Sequence, residues 1–161
     1  MSRSNVLIID GFSVMFRAFY SFPASLTLAD QTPINAVFGF LTLVLKAIDQ
    51  FSPTHFCICF DHKDPTFRKQ IFSDYKANRP PPPDEFKVQV PLLQNMLAEL
   101  GFYYIDLPGY EADDLMGTLS VQCGLLGSHV YLLTSDQDCF QLVNEQVSVT
   151  MSQKGVADLV V

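Results

Sequence analysis

Charge is scarce in this chain. Only 17% of its 161 residues are Asp, Glu, Lys or Arg, while 48% are apolar. Most of the sequence is therefore built for burial, and residues 1–161 suffice for one packed domain. Long apolar runs are also lacking: polar residues break every such segment well short of the ~20 needed to span a bilayer, so no membrane partner is expected. The opening ten residues, Met1 to Asp10, hold too short an apolar stretch for a secretory signal. No Cys-x-x-Cys pair occurs among Cys57, Cys59, Cys123 and Cys139. That spacing argues against a disulfide framework or a zinc site and for small buried hydrophobes, at home in a reducing cytoplasm. No internal repeat is visible.

A basic excess, the usual footprint of a nucleic-acid binder, is missing too: the net charge is −7. The distribution matters more than the sum. If seven of the 17 acids serve metal ions, ten remain against ten Lys and Arg, and positive charge can still be local.

What is present is an alternation. Short continuous apolar runs at Val6–Ile9, Phe56–Phe60, Phe102–Ile105 and Val130–Leu133 read as strands covered on both faces. Between them lie stretches of helical character, Val14–Phe22, Asn35–Phe51, Phe86–Leu100 and Ala112–Leu126. In the second, Val37, Leu41, Val44, Leu45 and Ile48 form an apolar stripe. The pattern predicts an α/β fold, a mostly parallel central sheet with helices on both faces. Arg79-Pro-Pro-Pro-Pro-Asp84 can be neither helix nor central strand and is expected to be an exposed loop. The basic, proline-rich stretch 76–84 is expected to be flexible without a ligand.

Acids follow every one of the four runs. Asp10 comes after the first, Asp61 after the second, Glu111, Asp113 and Asp114 after the third, and Asp136 and Asp138 after the fourth. In a parallel sheet those ends share one side, the edge where α/β folds bind ligands. Gathered carboxylates repel each other, and hard divalent ions such as Mg²⁺ or Mn²⁺ remove the conflict. Two ions held about 4 Å apart can clamp a phosphodiester displacement. Each acid also has a local reading: Glu111, Asp113 and Asp114 open a helix, Asp10 precedes Gly11 in what could be a turn, and Asp136 could cap the segment Gln137–Val143. Helix ends and turns do not explain repetition at four strand ends.

The densest basic stretch, Arg68, Lys69, Lys76 and Arg79, is interleaved with Phe67, Phe72 and Tyr75. Lys and Arg there can neutralise phosphates and Tyr75 can stack on a base; the bland alternative is a solvated loop. Arg17 either reaches the ligand edge or snorkels from an apolar helix.

Five strings, Ile8-Ile-Asp-Gly11 with Arg17, Phe60-Asp61 through Phe67-Arg68, Tyr75-Lys-Ala-Asn-Arg79, Pro108-Gly-Tyr-Glu-Ala-Asp-Asp-Leu115 and Thr134-Ser-Asp-Gln-Asp138, resemble in kind and order the bacterial 5′ nuclease family. That family includes the N-terminal domain of DNA polymerase I and the flap endonucleases. The resemblance implies a PIN-like (resolvase-like) fold and up to two Mg²⁺ or Mn²⁺ ions. It further implies exonuclease or flap endonuclease action on DNA with a 5′ end or 5′ flap, carried out by a monomer. It also implies that Asp10, Asp61, Glu111, Asp113, Asp136 and Asp138 serve the metals, with Asp114 in the acidic set. Lys76 and Arg79 match a basic gateway at the scissile phosphate, with Tyr75 beside it; Arg17 and Arg68 join them in holding DNA. The family's downstream Gly-Asp-x-x-Asp-Asn motif and helix-hairpin-helix are not found in these 161 residues, where Asp158 is the only acid after Glu145. Weakened cleavage is the expectation.

Two other kinds of protein gather acids in this way. An aspartyl phosphatase wants a second Asp two residues after the first, where Phe12 stands. A phosphorylated receiver domain needs a Lys after its last strand, and Lys154 sits in an expected turn instead. The alternative of another class is a non-catalytic module that binds metal and nucleic acid.

Overall fold

The computed structural model describes residues 4–152 and 159–160; Lys154 and Asp158 lie outside them. The elements run β1 (Asn5–Asp10), α1 (Gly11–Ser21), α2 (Asn35–Phe51), β2 (His55–Cys59), α3 (Phe67–Ile71), α4 (Asp84–Lys87), α5 (Gln89–Glu99), β3 (Tyr104–Ile105), α6 (Ala112–Leu125), β4 (His129–Leu133), a 3-10 turn (Gln137–Leu142), β5 (Val147–Ser152) and β6 (Leu159–Val160). The sheet order is β3-β2-β1-β4-β5-β6. The first five strands are parallel, and β6 runs antiparallel to β5. This is the doubly wound α/β architecture that the alternation predicts.

The continuous apolar runs are explained by burial on both faces. In β1, Leu7 and Ile9 enter a core with α1, α2 and α5, whereas Val6 and Ile8 enter a second core beneath α6. Successive strand residues point to opposite faces, so a central strand needs apolar groups at every position. All four cysteines belong to the α6-side core or pack against it, and all are free thiols.

Several elements differ from the sequence expectation for identifiable reasons. The helix expected at Phe86–Leu100 breaks into α4 and α5 at Val88. Pro91 is the cause: its ring clashes with the carbonyl four residues back, at Lys87. On α2 the buried face is Ala36, Val37, Phe40, Leu43, Val44 and Ala47, while Leu45 is exposed. The stripe is turned because α2 packs closely on α1, where a Cβ at Gly39 would stand 2.4 Å from the Phe22 ring. α2 begins at Asn35 without a side-chain cap from its own N-terminus. Buried Gln89 supplies one instead, its Oε1 accepting from the Ala36 and Val37 amides at 2.8 and 3.3 Å. Its Nε2 donates to Asn35 Oδ1 and the Glu85 carbonyl. The third strand shrinks to two residues, because the Phe102 amide is spent on the Leu97 carbonyl.

Candidate functional site

Asp10 closes β1 and turns its carboxylate back over α1. Its Oδ1 accepts from the Ser13 amide at 3.0 Å, which caps the helix and lets it start at Gly11. Its Oδ2 accepts from the Thr134 hydroxyl at 2.9 Å. The Thr134 oxygen accepts in turn from the Asp136 amide, and the Ser13 oxygen from the Ser135 amide. The backbone beyond β4 is thus laced to the start of α1. Asp10 is only 5% exposed. Burial pushes its pKa up to about 6, against the pull of the Ser13 and Thr134 hydrogen bonds; the charges of Asp113 and Asp61 add to the rise.

Asp61, two residues beyond β2, accepts from the Ala112 amide at 2.7 Å, joining the β2 end to the first turn of α6. Asp113 sits in that turn; burial raises its pKa, followed by repulsion from Asp136 and Asp61. Asp136 caps the 3-10 turn, accepting from the Asp138 amide at 2.9 Å. Asp10, Asp61, Asp113 and Asp136 line one cleft of about 740 Å³, together with Lys76 and Arg79, and an apolar wall of Phe12, Phe16, Tyr20, Phe86 and Pro80–Pro83 completes it.

The remaining acids are placed differently. Asp138 is exposed and is not among the residues lining the cleft. Glu111 is buried at 6% exposure. It accepts from Lys76 Nζ at 2.9 Å and the Tyr75 hydroxyl at 3.1 Å, with an Arg68 nitrogen 3.6 Å away. Burial works against the Lys76 ammonium, but the bond and charge of Glu111 outweigh it and hold its pKa above the usual value. Asp114 binds the two terminal nitrogens of Arg68 at 2.6 and 2.7 Å and accepts from the Glu111 amide at 3.0 Å. A smaller concavity of about 260 Å³, lined by Lys69, Tyr75 and Glu111, shares Asp61 and Lys76 with the main cleft. Arg17 is half-buried on α1 and lines neither.

The donor set of the main cleft consists of hard carboxylate oxygens that repel one another, the environment a divalent ion relieves. Among the described residues no group of three His, Cys, Asp or Glu comes together closely enough to hold an ion unaided. A Mg²⁺-like ion, which keeps several waters, fits such an open arrangement better than a fully protein-ligated one.

Sequence reading alone misses the supports. Ser13 and Thr134 hold Asp10, and the one available signal is Ser13 at the N3 position after a capping Asp. The aromatic wall is concealed because Phe12, Phe16 and Tyr20 look like ordinary core positions of an apolar helix.

Residues 5–159 match the family model described as 5′-3′ exonuclease, N-terminal resolvase-like domain. The chain is 38% identical over 161 residues to a 5′-3′ exonuclease of Bacillus subtilis, covering 98% of this chain and 54% of that protein. It is 38% identical over 159 residues to DNA polymerase I of Mycobacterium bovis, covering 98% of this chain and 18% of the polymerase. It thus spans about half the length of one relative and about a fifth of the other. Among solved structures it is similar to a bacteriophage T5 flap endonuclease in a pseudo-enzyme-product complex with DNA and metal ions. The TM-score is 0.69 at 21% identity, over 91% of this chain and 54% of that one.

Proposed function

The chain belongs to the 5′-3′ exonuclease family, in its N-terminal resolvase-like domain, and from that membership we propose that it serves metal-dependent hydrolysis of DNA phosphodiesters at 5′ ends and 5′ flaps. The observation that carries this reading is the meeting of Asp10, Asp61, Asp113 and Asp136 in one cleft with Lys76 and Arg79. The four carboxylates are the groups that would hold Mg²⁺ or Mn²⁺, up to two ions, with Glu111 and Asp138 in the same acidic set. Bound there, the ions would supply Lewis acidity and a water of lowered pKa.

The chain's own side chains have separate tasks. Lys76 and Arg79 take phosphate oxygens, and Tyr75 offers its ring to a base. Both steps draw the phosphodiester toward the carboxylates. Asp10, with a pKa near 6, carries a proton in part of the protein at mildly acidic pH and yields it as positive charge arrives. The proline-rich stretch 76–84 is proposed to adjust as DNA enters. The T5 flap endonuclease of similar fold is seen with DNA and metal ions, which accords with a metal-dependent reading of the cleft. Action in the cytoplasm, as a monomer, is part of the same proposal. Among the described residues no helix is long and apolar enough to cross a membrane.

The test is a labelled 5′-flap duplex incubated with the chain at low salt, with Mg²⁺, Mn²⁺ or EDTA. Metal-dependent cleavage that D10N and D113N abolish is the expected result. Flap binding with metal but without cleavage would instead assign a binding module.

A further inference from the structure

We propose that Asp114 is a positioning residue and not a metal ligand: with Arg68 it forms a clamp that fixes the basic segment 67–79 to the start of α6 and so holds Tyr75 and Lys76 over Glu111. The role in DNA handling rests on the function proposed above; the clamp itself does not.

Asp113 and Asp114 are neighbours with opposite surroundings. Consecutive helical residues point about 100° apart, and only Asp113 lines the acidic cleft. Asp113 shares that cleft with Asp10, Asp61 and Asp136, whereas Asp114 meets the Arg68 guanidinium. The Asp114 oxygens already accept three bonds, two from Arg68 and one from the Glu111 amide. The two parallel bonds match the planar fork of a guanidinium, a pairing that lysine cannot reproduce.

The clamp matters because little else holds α3. The helix has five residues, none of them buried, too few to persist by propensity alone. Ile71 and Phe72 are mostly exposed, so apolar burial contributes little. Besides the clamp, the Phe67 amide donates to the Gly109 carbonyl and the Phe67 ring leans on Tyr110. From α3 the position is handed on by single turns: the Phe72 amide donates to Arg68 and the Tyr75 amide to Phe72. The relay ends at Lys76, whose φ of +57° is a costly backbone state that surrounding contacts must impose. Removing either clamp partner should therefore release Tyr75 and Lys76 while leaving Asp10, Asp61, Asp113 and Asp136 in place.

The experiment compares D114N, R68M and D114N/R68M with the parent protein by hydrogen exchange and by thermal melts in rising Mn²⁺. Each single variant should raise exchange at the Lys69, Phe72 and Tyr75 amides by at least roughly tenfold. The double variant should add nothing more, and the Mn²⁺ midpoint should stay within about twofold of the parent. In flap binding, D114N/K76M should be no weaker than K76M alone, a non-additivity that general destabilisation would not give. D114N that weakens Mn²⁺ as D113N does, with exchange at 67–79 unchanged, would overturn the proposal. So would unchanged exchange in R68M. If no variant and not even the parent binds or cuts the flap, the nuclease reading fails, while the exchange arm still decides the clamp.

Discussion

Thr134 donates its hydroxyl to Asp10 at 2.9 Å across 124 positions of sequence, tying the end of β4 to the end of β1. The bond lies in a buried setting, where an unmatched carboxylate oxygen is costly. Thr134→Val keeps the shape and removes the donor, and it also leaves the Asp136 amide without its partner. The expected cost is about 1–3 kcal/mol by urea denaturation, together with a further upward move of the Asp10 titration.

Asp10 gives a pH dependence of definite sign. Its folded pKa of about 6 lies above the ordinary 3.8, so the native state binds the proton more tightly than the unfolded chain. This group's contribution is therefore full below about pH 4 and is lost as pH rises through about 6, a swing of about 3 kcal/mol. Asp113, also raised, acts in the same direction. Denaturation in EDTA from pH 4 to 7 should show the decline, and D10N should flatten it. A profile in which the parent and D10N are parallel would contradict the assignment.

Metal should reverse that loss. Saturating Mn²⁺ at about a hundred times its dissociation constant should stabilise the protein by about 2.7 kcal/mol, or about 5–10 °C in melting temperature. D10N should melt higher than the parent in EDTA at neutral pH and gain less from metal. A simple turn at Asp10 would give neither effect.

Gly11 sets the geometry of this corner. A Cβ there would stand 2.3 Å from Cε1 of Phe60, and Phe60 is fully buried, so the ring has nowhere to go. Gly11→Ala should cost about 1–3 kcal/mol and reduce the Mn²⁺ response, because α1 cannot begin in place against β1. Calorimetry with and without metal separates the two effects.

The sheet and the strand-end acids are legible in the sequence because their signals are local. Val6–Ile9 and Val130–Leu133 are unbroken apolar runs, and an acid within a few residues of each end needs no knowledge of the rest of the fold. β5 is harder to see. Val147, Val149 and Met151 alternate with Ser148, Thr150 and Ser152, so the segment lacks the continuous apolar character of the central strands, although Thr150 is as buried as its neighbours. The pairs around Glu111 are not legible at all. Arg68 meets Asp114 across 46 positions and Lys76 meets Glu111 across 35, and both depend on how residues 62–83 fold back. No spacing rule encodes such a return. A still longer separation, 124 positions, conceals the Thr134 hydroxyl behind Asp10.

The borrowed cap on α2 bears on the order in which the chain can assemble. The Ala36 and Val37 amides find their acceptor in Gln89, more than fifty residues downstream. A nascent chain that has emerged only through α2 leaves those donors to water, and its second helix frays at the first turn. Completion waits until synthesis has passed the proline run and delivered α5. The amino-terminal half is therefore finished by the segment made after it, and each side of the proline run is committed to its place by the arrival of the other.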